Sequence, residues 1–261
     1  MRRKKSGFTI VEVSLFLAIT ALVFVGIAVG TQNSIFQQRY NDAVQNFVEF
    51  LRGAYSQVTN VQSEGDGRTG YAIYGKLVVF GGKKDGENKI KTFNVIGKIE
   101  SNGSNNGGTI LEQLNSRDAN VIYDGPNGPT SVGIVEDYTP KWASQIQTTD
   151  GLSNNKYKII DGALLIIRSP DTGSVNTYVY SNSGSNVGDN MLDKISENNN
   201  PFAGSNGSYL TSDYFKKEDM NFCINPNGAD KSNLRRNIRI MAGARNSSSI
   251  VVVSDDESAC N

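Results

Sequence analysis

Histidine is absent from the 261 residues. Its absence removes the usual general base, the proton shuttle and the commonest metal ligand. Ser-His-Asp and Cys-His sites are therefore impossible. The glycine-rich turns contain no G-x-x-x-x-G-K-[ST] run, so no phosphate-cradling P-loop exists either. No enzyme is expected. Cysteine is scarce: Cys223 and Cys260 are the two in the chain. Neither lies in a C-x-x-C pair, and without histidine they cannot complete a zinc set. In an exported chain they would form one disulfide, stabilising the fold by roughly 3–4 kcal/mol in the chain-entropy model. Two unpaired buried thiols are the alternative. Proline does not occur before Pro126, so nothing forces a break in an early helix. Net charge is absent as well, with 26 basic and 26 acidic residues, and nothing advertises a nucleic-acid partner.

What is present begins at the N-terminus. Arg2, Arg3, Lys4 and Lys5 supply four of the cations, which leaves 22 basic residues against 26 acidic in the remainder. Residues 8–30 follow with a single charge, Glu12. As a helix this stretch would rise about 35 Å, enough to cross a hydrocarbon core of roughly 30 Å. The leading cations would hold the N-terminus in the cytoplasm and put the rest of the chain outside. An ordinary secretory signal cut after Gly30 is the competing reading. Three features oppose it. The apolar run exceeds a signal core, Glu12 lies inside it, and the helical pattern does not stop at Gly30. Phe36, Tyr40, Val44, Phe47, Leu51, Tyr55 and Val58 recur at spacings of three and four, one apolar face of an amphipathic helix. Residues 8 to about 61 therefore read as one helix roughly 80 Å long, with Gly26, Gly30 and Gly53 as soft points. Glu12 costs on the order of 2–3 kcal/mol if it lies deep in a membrane. It is either an interfacial carboxylate or a charge awaiting a cation from another subunit.

The run Lys5-Ser6-Gly7-Phe8-Thr9-Ile10-Val11-Glu12 resembles the signal of type IV prepilins and pseudopilins. The likeness covers the first fifty to sixty residues. It implies a leader, residues 1–7, cut between Gly7 and Phe8 by a prepilin peptidase that also methylates the new Phe8 amine. It implies that Glu12 pairs with the Phe8 amine of a neighbouring subunit as the helix enters a filament. Its other implied partners are pilin or pseudopilin subunits and an assembly platform in the cytoplasmic membrane. Val29 stands where many major pilins carry proline. The implied fold is α+β and pilin-like: a filament-core helix (8–30), its amphipathic continuation (31–61), and an extracytoplasmic, antiparallel β-sheet domain (62–261).

That domain is rich in glycine, asparagine and serine. Strands are predicted over 70–82, 89–99, 119–124, 131–137, 174–181, 221–226, 237–245 and 249–255, with a short helix over 109–116. The run 156–169 holds the most buried-looking strand, Ala163 to Ile167, and Asp161-Gly162 reads as a hairpin or bulge. Its pairing with 174–181 across 170–173 is the firmest hairpin. Residues 182–213 read as an exposed excursion with a possible helical turn at Met191–Ile195. The C-terminal pattern resembles H-type minor pseudopilins and minor pilins, and the Cys223–Cys260 pair resembles the disulfide-bounded end of many pilins.

No cofactor is expected. Oxygen ligands that suit calcium cluster in Ser254-Asp255-Asp256-Glu257 and in residues 225–230, but neither run fits EF-hand spacing and both read as solvated loops. Arg235, Arg236 and Arg239 read as a solvated strand edge, with a carboxylate on a neighbouring subunit as the alternative partner. A minor filament subunit is the leading expectation. A pilus-associated adhesin or DNA-uptake module is a second, and an exported soluble protein is a third.

Overall fold

In the computed structural model, Ile10–Thr59 form one unbroken helix, α1, of 50 residues. It runs through Gly26, Gly30 and Gly53 without interruption, two residues shorter at each end than the sequence pattern suggests. The structure describes residues 7, 9–60, 71–81, 88–99, 108–117, 119–121, 136–148, 158–159, 161–180, 187–196, 214–225 and 236–253. The chain divides into two units, Met1–Asp42 and Ala43–Asn261, and α1 contributes to both.

Within the second unit two antiparallel sheets form. The larger has seven strands. Its main path runs β3 (Asn120–Val121), β2 (Lys89–Lys98), β1 (Tyr71–Gly81), β7 (Gly162–Arg168), β8 (Val175–Tyr180) and β9 (Phe215–Lys216). The seventh strand, β4 (Glu136–Tyr138), shares the outer edge of β2 with β3. The smaller sheet is ordered β12 (Ile250–Val253), β11 (Arg236–Ile240), β10 (Met220–Asn225), β5 (Gln145–Thr148) and β6 (Lys158–Ile159).

Central strands β1 and β7 are apolar without alternation because both faces of the large sheet are covered. Ala163 to Ile167 have no exposed surface. On one face Leu77, Val79, Phe93, Val95, Leu165 and Ile167 pack with Leu111 and Leu114 of α2 (Ile110–Asn115) and with Met191 and Ile195 of α3 (Val187–Ser196). On the other, Phe80 meets Phe222 of the small sheet, with ring centroids 5.3 Å apart. Phe222 in turn meets Phe47 of α1 edge-on at 5.3 Å. Val44, Phe47, Leu51, Tyr55 and Val58 are all buried, and Glu49 and Arg52 face solvent. Those five side chains contribute roughly 10 kcal/mol of apolar burial at about 2 kcal/mol each.

Hydrogen bonds to the large sheet and, through Thr177, to the turn after β11 fasten this half of α1. The Tyr55 hydroxyl lies 2.7 Å from Thr177 Oγ1 on β8. Thr177 donates its proton to the Ala244 carbonyl at 2.7 Å, so Tyr55 is the donor to Thr177. The helix, the large sheet and the turn after β11 thus share one buried hydroxyl. Arg168 Nη1 donates to the Thr59 carbonyl at 2.9 Å, placing a cation on the C-terminal end of the helix. Nearby, Gln57 Nε2 donates to Glu136 Oε1 at 3.4 Å. The same oxygen lies 3.8 Å from the buried Lys76 ammonium. Desolvation draws Lys76 below the usual lysine range, and Glu136 partly offsets it.

Close approaches explain two glycines. A Cβ on Gly75, where β1 bulges against β2, would lie 2.5 Å from the Ile166 carbonyl oxygen. One on Gly188 would lie 1.7 Å from the Phe80 carbonyl oxygen, so the start of α3 rests directly on β1.

Three expectations need correction. Asp161-Gly162 makes neither a hairpin nor a bulge. β6 before it belongs to the small sheet and β7 after it to the large one, so the dipeptide carries the chain between sheets. Asp161 Oδ1 instead accepts the Gly188 amide at 2.6 Å, at the start of α3. The 182–213 excursion contains a ten-residue helix, α3, whose Met191 and Ile195 are core. Arg239 is not on an edge: β11 lies between β10 and β12, and Arg239 binds Asp219 on its own chain. That pairing and the Ala242 amide hold the Asp219 carboxyl below its ordinary range.

The sequence offered nothing for 139–148, where two features occur. β5 is one. The other is the turn Lys141–Ala143, in which Trp142 (φ 57, ψ 36) and Ala143 (φ 53) are both left-handed. Such backbone costs roughly 1–2 kcal/mol per non-glycine residue.

Candidate functional site

The first unit is built from the start of α1. Thr9 is its N-cap, and its carbonyl accepts the first helical hydrogen bond, from Val13, at 3.2 Å. Both the Thr9 amide and the Thr9 hydroxyl donate to Glu12 Oε2, each at 2.9 Å. The Glu12 amide donates back to Thr9 Oγ1 at 3.3 Å. This reciprocal pair is a capping box. The chain repeats it: Thr109-Ile110-Leu111-Glu112 starts α2 as Thr9-Ile10-Val11-Glu12 starts α1. There the Thr109 amide reaches Glu112 Oε2 at 2.7 Å and the Glu112 amide reaches Thr109 Oγ1 at 3.3 Å. Glu12 therefore has a local task that needs only an acceptor oxygen. Glu12 Oε1 makes no hydrogen bond among the described residues.

Above the cap, α1 is apolar on every side. Ile10, Val11, Leu15, Phe16, Leu17, Leu22, Phe24, Val25, Ile27 and Val29 are each more than half exposed. An 18-residue window has mean hydropathy 2.5 and none of it is buried. Helices that are apolar all round belong inside a membrane or a bundle. The segment is long and apolar enough to be a membrane anchor or a signal sequence. Thr20 and Thr31 satisfy their hydroxyls on the preceding turn, at Phe16 and Ile27, and so place no unpaired polar group on the shaft.

Of the residues singled out from sequence, Gly7 is exposed with open space around it, Glu12 occupies the cap, and Phe8 lies outside the described residues. Cys223 is buried at the centre of β10, paired in register with Asn237 and Gln147, and carries no free thiol. Cys260 lies outside the described residues, as do 254–257 and 226–230 of the acidic and Asn-rich runs. Among the described residues no three His, Cys, Asp or Glu side chains gather as a metal set. Sequence reading missed the role of Thr9, although T-x-x-E before an apolar run signals it.

No family model, curated protein or solved structure matches the chain.

Proposed function

We propose that this chain is a minor subunit of a type IV pilus or type II secretion-like filament, with the pilin-like fold that such a subunit needs. The observation that carries this reading is the division of α1. From Ile10 to Val29 its apolar side chains are exposed all round, whereas from Val44 to Val58 one face is buried in the chain's own domain. The first half requires lipid or other helices about it, and the second is already satisfied. A subunit that waits in the cytoplasmic membrane and then packs its shaft among neighbouring helices uses both halves.

On this reading a prepilin peptidase cuts between Gly7 and Phe8 and methylates the Phe8 amine. The basic leader keeps that end cytoplasmic, and the β domain faces outward. The charge of Glu12 pairs with the Phe8 amine of a neighbour, since each ion would be costly alone in an apolar core. Other pilin or pseudopilin subunits and a membrane assembly platform are the partners, and no catalysis or cofactor is involved. Intact-mass and N-terminal peptide spectrometry of the mature protein tests this. N-methyl-Phe8 is the expected terminus. A terminus at Thr31 would mean an exported protein cut by an ordinary signal peptidase, and would overturn the filament reading.

A further inference from the structure

The β domain buries a polar cluster that filament assembly does not use. Residues paired across neighbouring strands point to the same face of a sheet. Asn94 on β2 pairs with Lys76 on β1, Lys76 with Ile166 on β7, and Ile166 with Thr177 on β8. Thr177 binds Tyr55 of α1, so the whole row faces that helix. Lys76 is only 5% exposed and Asn94 only 7%, although both residue types ordinarily lie in water. In the next row, Thr92 on β2 pairs with Val78 on β1 and with Glu136 on β4.

The register fixes where the ammonium lies. β1 and β4 flank β2 and so stand roughly 10 Å apart, at about 4.8 Å per strand. Lys76 Nζ nevertheless comes within 3.8 Å of Glu136 Oε1. The lysine therefore crosses β2, over the gap between Asn94 and Thr92. Asn94 Oδ1 and Thr92 Oγ1 are buried there without a hydrogen-bond partner among the described residues. An ion pair alone does not account for those two atoms, and buried polar atoms left unpaired can mark a reactive site.

An amine, a carboxamide and a carboxylate thus share one covered space. Burial draws the amine toward its neutral form, which is the nucleophilic one. Glu136 is partly exposed and is held from the helix side by Gln57. We propose that Lys76 and Asn94 become joined by an isopeptide bond between Nζ and Cγ, with Glu136 moving the protons. The Lys76 ammonium first gives a proton to Glu136. The neutral amine adds to Asn94 Cγ. Glu136 passes its proton to Nδ2, and the Cγ–Nδ2 bond breaks with its electron pair going to nitrogen. Glu136 then takes the second amine proton, which the departing ammonia carries off as ammonium. One C–N bond forms and one breaks, nothing is oxidised or reduced, and Glu136 ends as it began. The chain acts once, on itself. The product replaces a buried charge with a neutral amide and ties β1 to β2 covalently.

The test is a peptide map of the full chain, extracted in detergent, reduced and unfolded. Trypsin should leave the bond after Lys76 uncut. It should release a branched peptide, residues 69–83 joined to 92–98 through Lys76 and Asn94, lighter than the two together by one ammonia. Glu136→Gln should lower the yield of that peptide at least tenfold. Lys76→Met removes the amine, keeps an apolar stem beneath α1, and should release 92–98 in linear form. The wild-type map is decisive even where a variant misfolds: complete cleavage after Lys76 would overturn the proposal. So would a branched peptide undiminished in Glu136→Gln, or ammonia lost only as a succinimide at an Asn-Gly step. A wild-type chain that failed to enter filaments would still carry the bond, so this proposal and the filament reading fail separately.

Discussion

Exchanging Glu12 for glutamine separates the two tasks proposed for that side chain. The capping box needs an acceptor at Glu12 and no charge, and glutamine supplies one. The Thr9 amide and hydroxyl, now 2.9 Å from Oε2, would keep their partner. The start of α1 should lose at most a few tenths of a kcal/mol. Pairing with a neighbour's Phe8 amine needs the charge. Leaving a buried ammonium without its carboxylate costs about 3–5 kcal/mol. At about 1.4 kcal/mol per decade, this lowers incorporation by a factor of a hundred or more. Thr9→Val is the complementary variant. It removes the cap, worth about 1 kcal/mol, and leaves the charge in place. The assay is the ratio of subunit in sheared filaments to subunit in membranes, with mass spectrometry confirming that each variant is processed. The expected order of incorporation is wild type, then Thr9→Val a few-fold lower, then Glu12→Gln and Glu12→Val both near zero. If Glu12→Gln enters filaments like the wild type, the charge is not needed, Glu12 is a capping residue, and the pairing argument fails.

Two further outcomes concern the domain itself. Thr177→Val removes the shared hydroxyl and strands both the Tyr55 phenol and the Ala244 carbonyl in the interior. A loss of about 2–4 kcal/mol in urea unfolding is expected, and a change under 0.5 kcal/mol would mean water replaces the hydroxyl. Burial pushes Tyr55 and Tyr138 up to about 12. Their phenols stay protonated in the folded state after the unfolded chain has lost them near pH 10. Their stabilising effect is therefore complete below pH 10 and fades as pH rises toward 12, by about 2–3 kcal/mol for Tyr55. Urea midpoints at pH 9 and 11, read with tyrosinate absorbance, check this, and equal midpoints would refute it.

Much of the architecture was legible because it rests on local patterns. The three-and-four spacing from Phe36 to Val58 selects one helical face, and five of its members are buried in the second unit. The run Ala163–Ile167 reads as a strand because it is short, apolar throughout and ends in two β-branched residues, a pattern that two-sided burial produces. Turn chemistry at 170–173, ending in Gly173 at φ 70, marks the β7–β8 hairpin. Strand order was not legible. β1 pairs with β7 and β10 with β5, and such distant pairings leave no local trace. Asp161-Gly162 misled because the same dipeptide serves a hairpin and a passage between sheets. The turn at Trp142 escaped because Lys-Trp-Ala lacks the glycine or asparagine that usually announces left-handed backbone. At the helix start, the spacing that suggested an intermolecular charge also spelled a capping box, and one reading hid the other.

The shared hydroxyl of Thr177 also bears on when the domain can close during synthesis. Tyr55 leaves the ribosome 122 residues before Thr177, and Ala244 follows 67 residues later. The three-way contact is therefore among the most non-local in the chain, and contacts of that kind form late. The shaft of α1 is made long before its lower half can be locked. A product truncated before Ala244 would keep the shaft while leaving the Thr177 proton unclaimed and the small sheet without β12. A fragment lacking the C-terminal strands therefore carries the same apolar helix without the contact that locks its lower half to the completed domain.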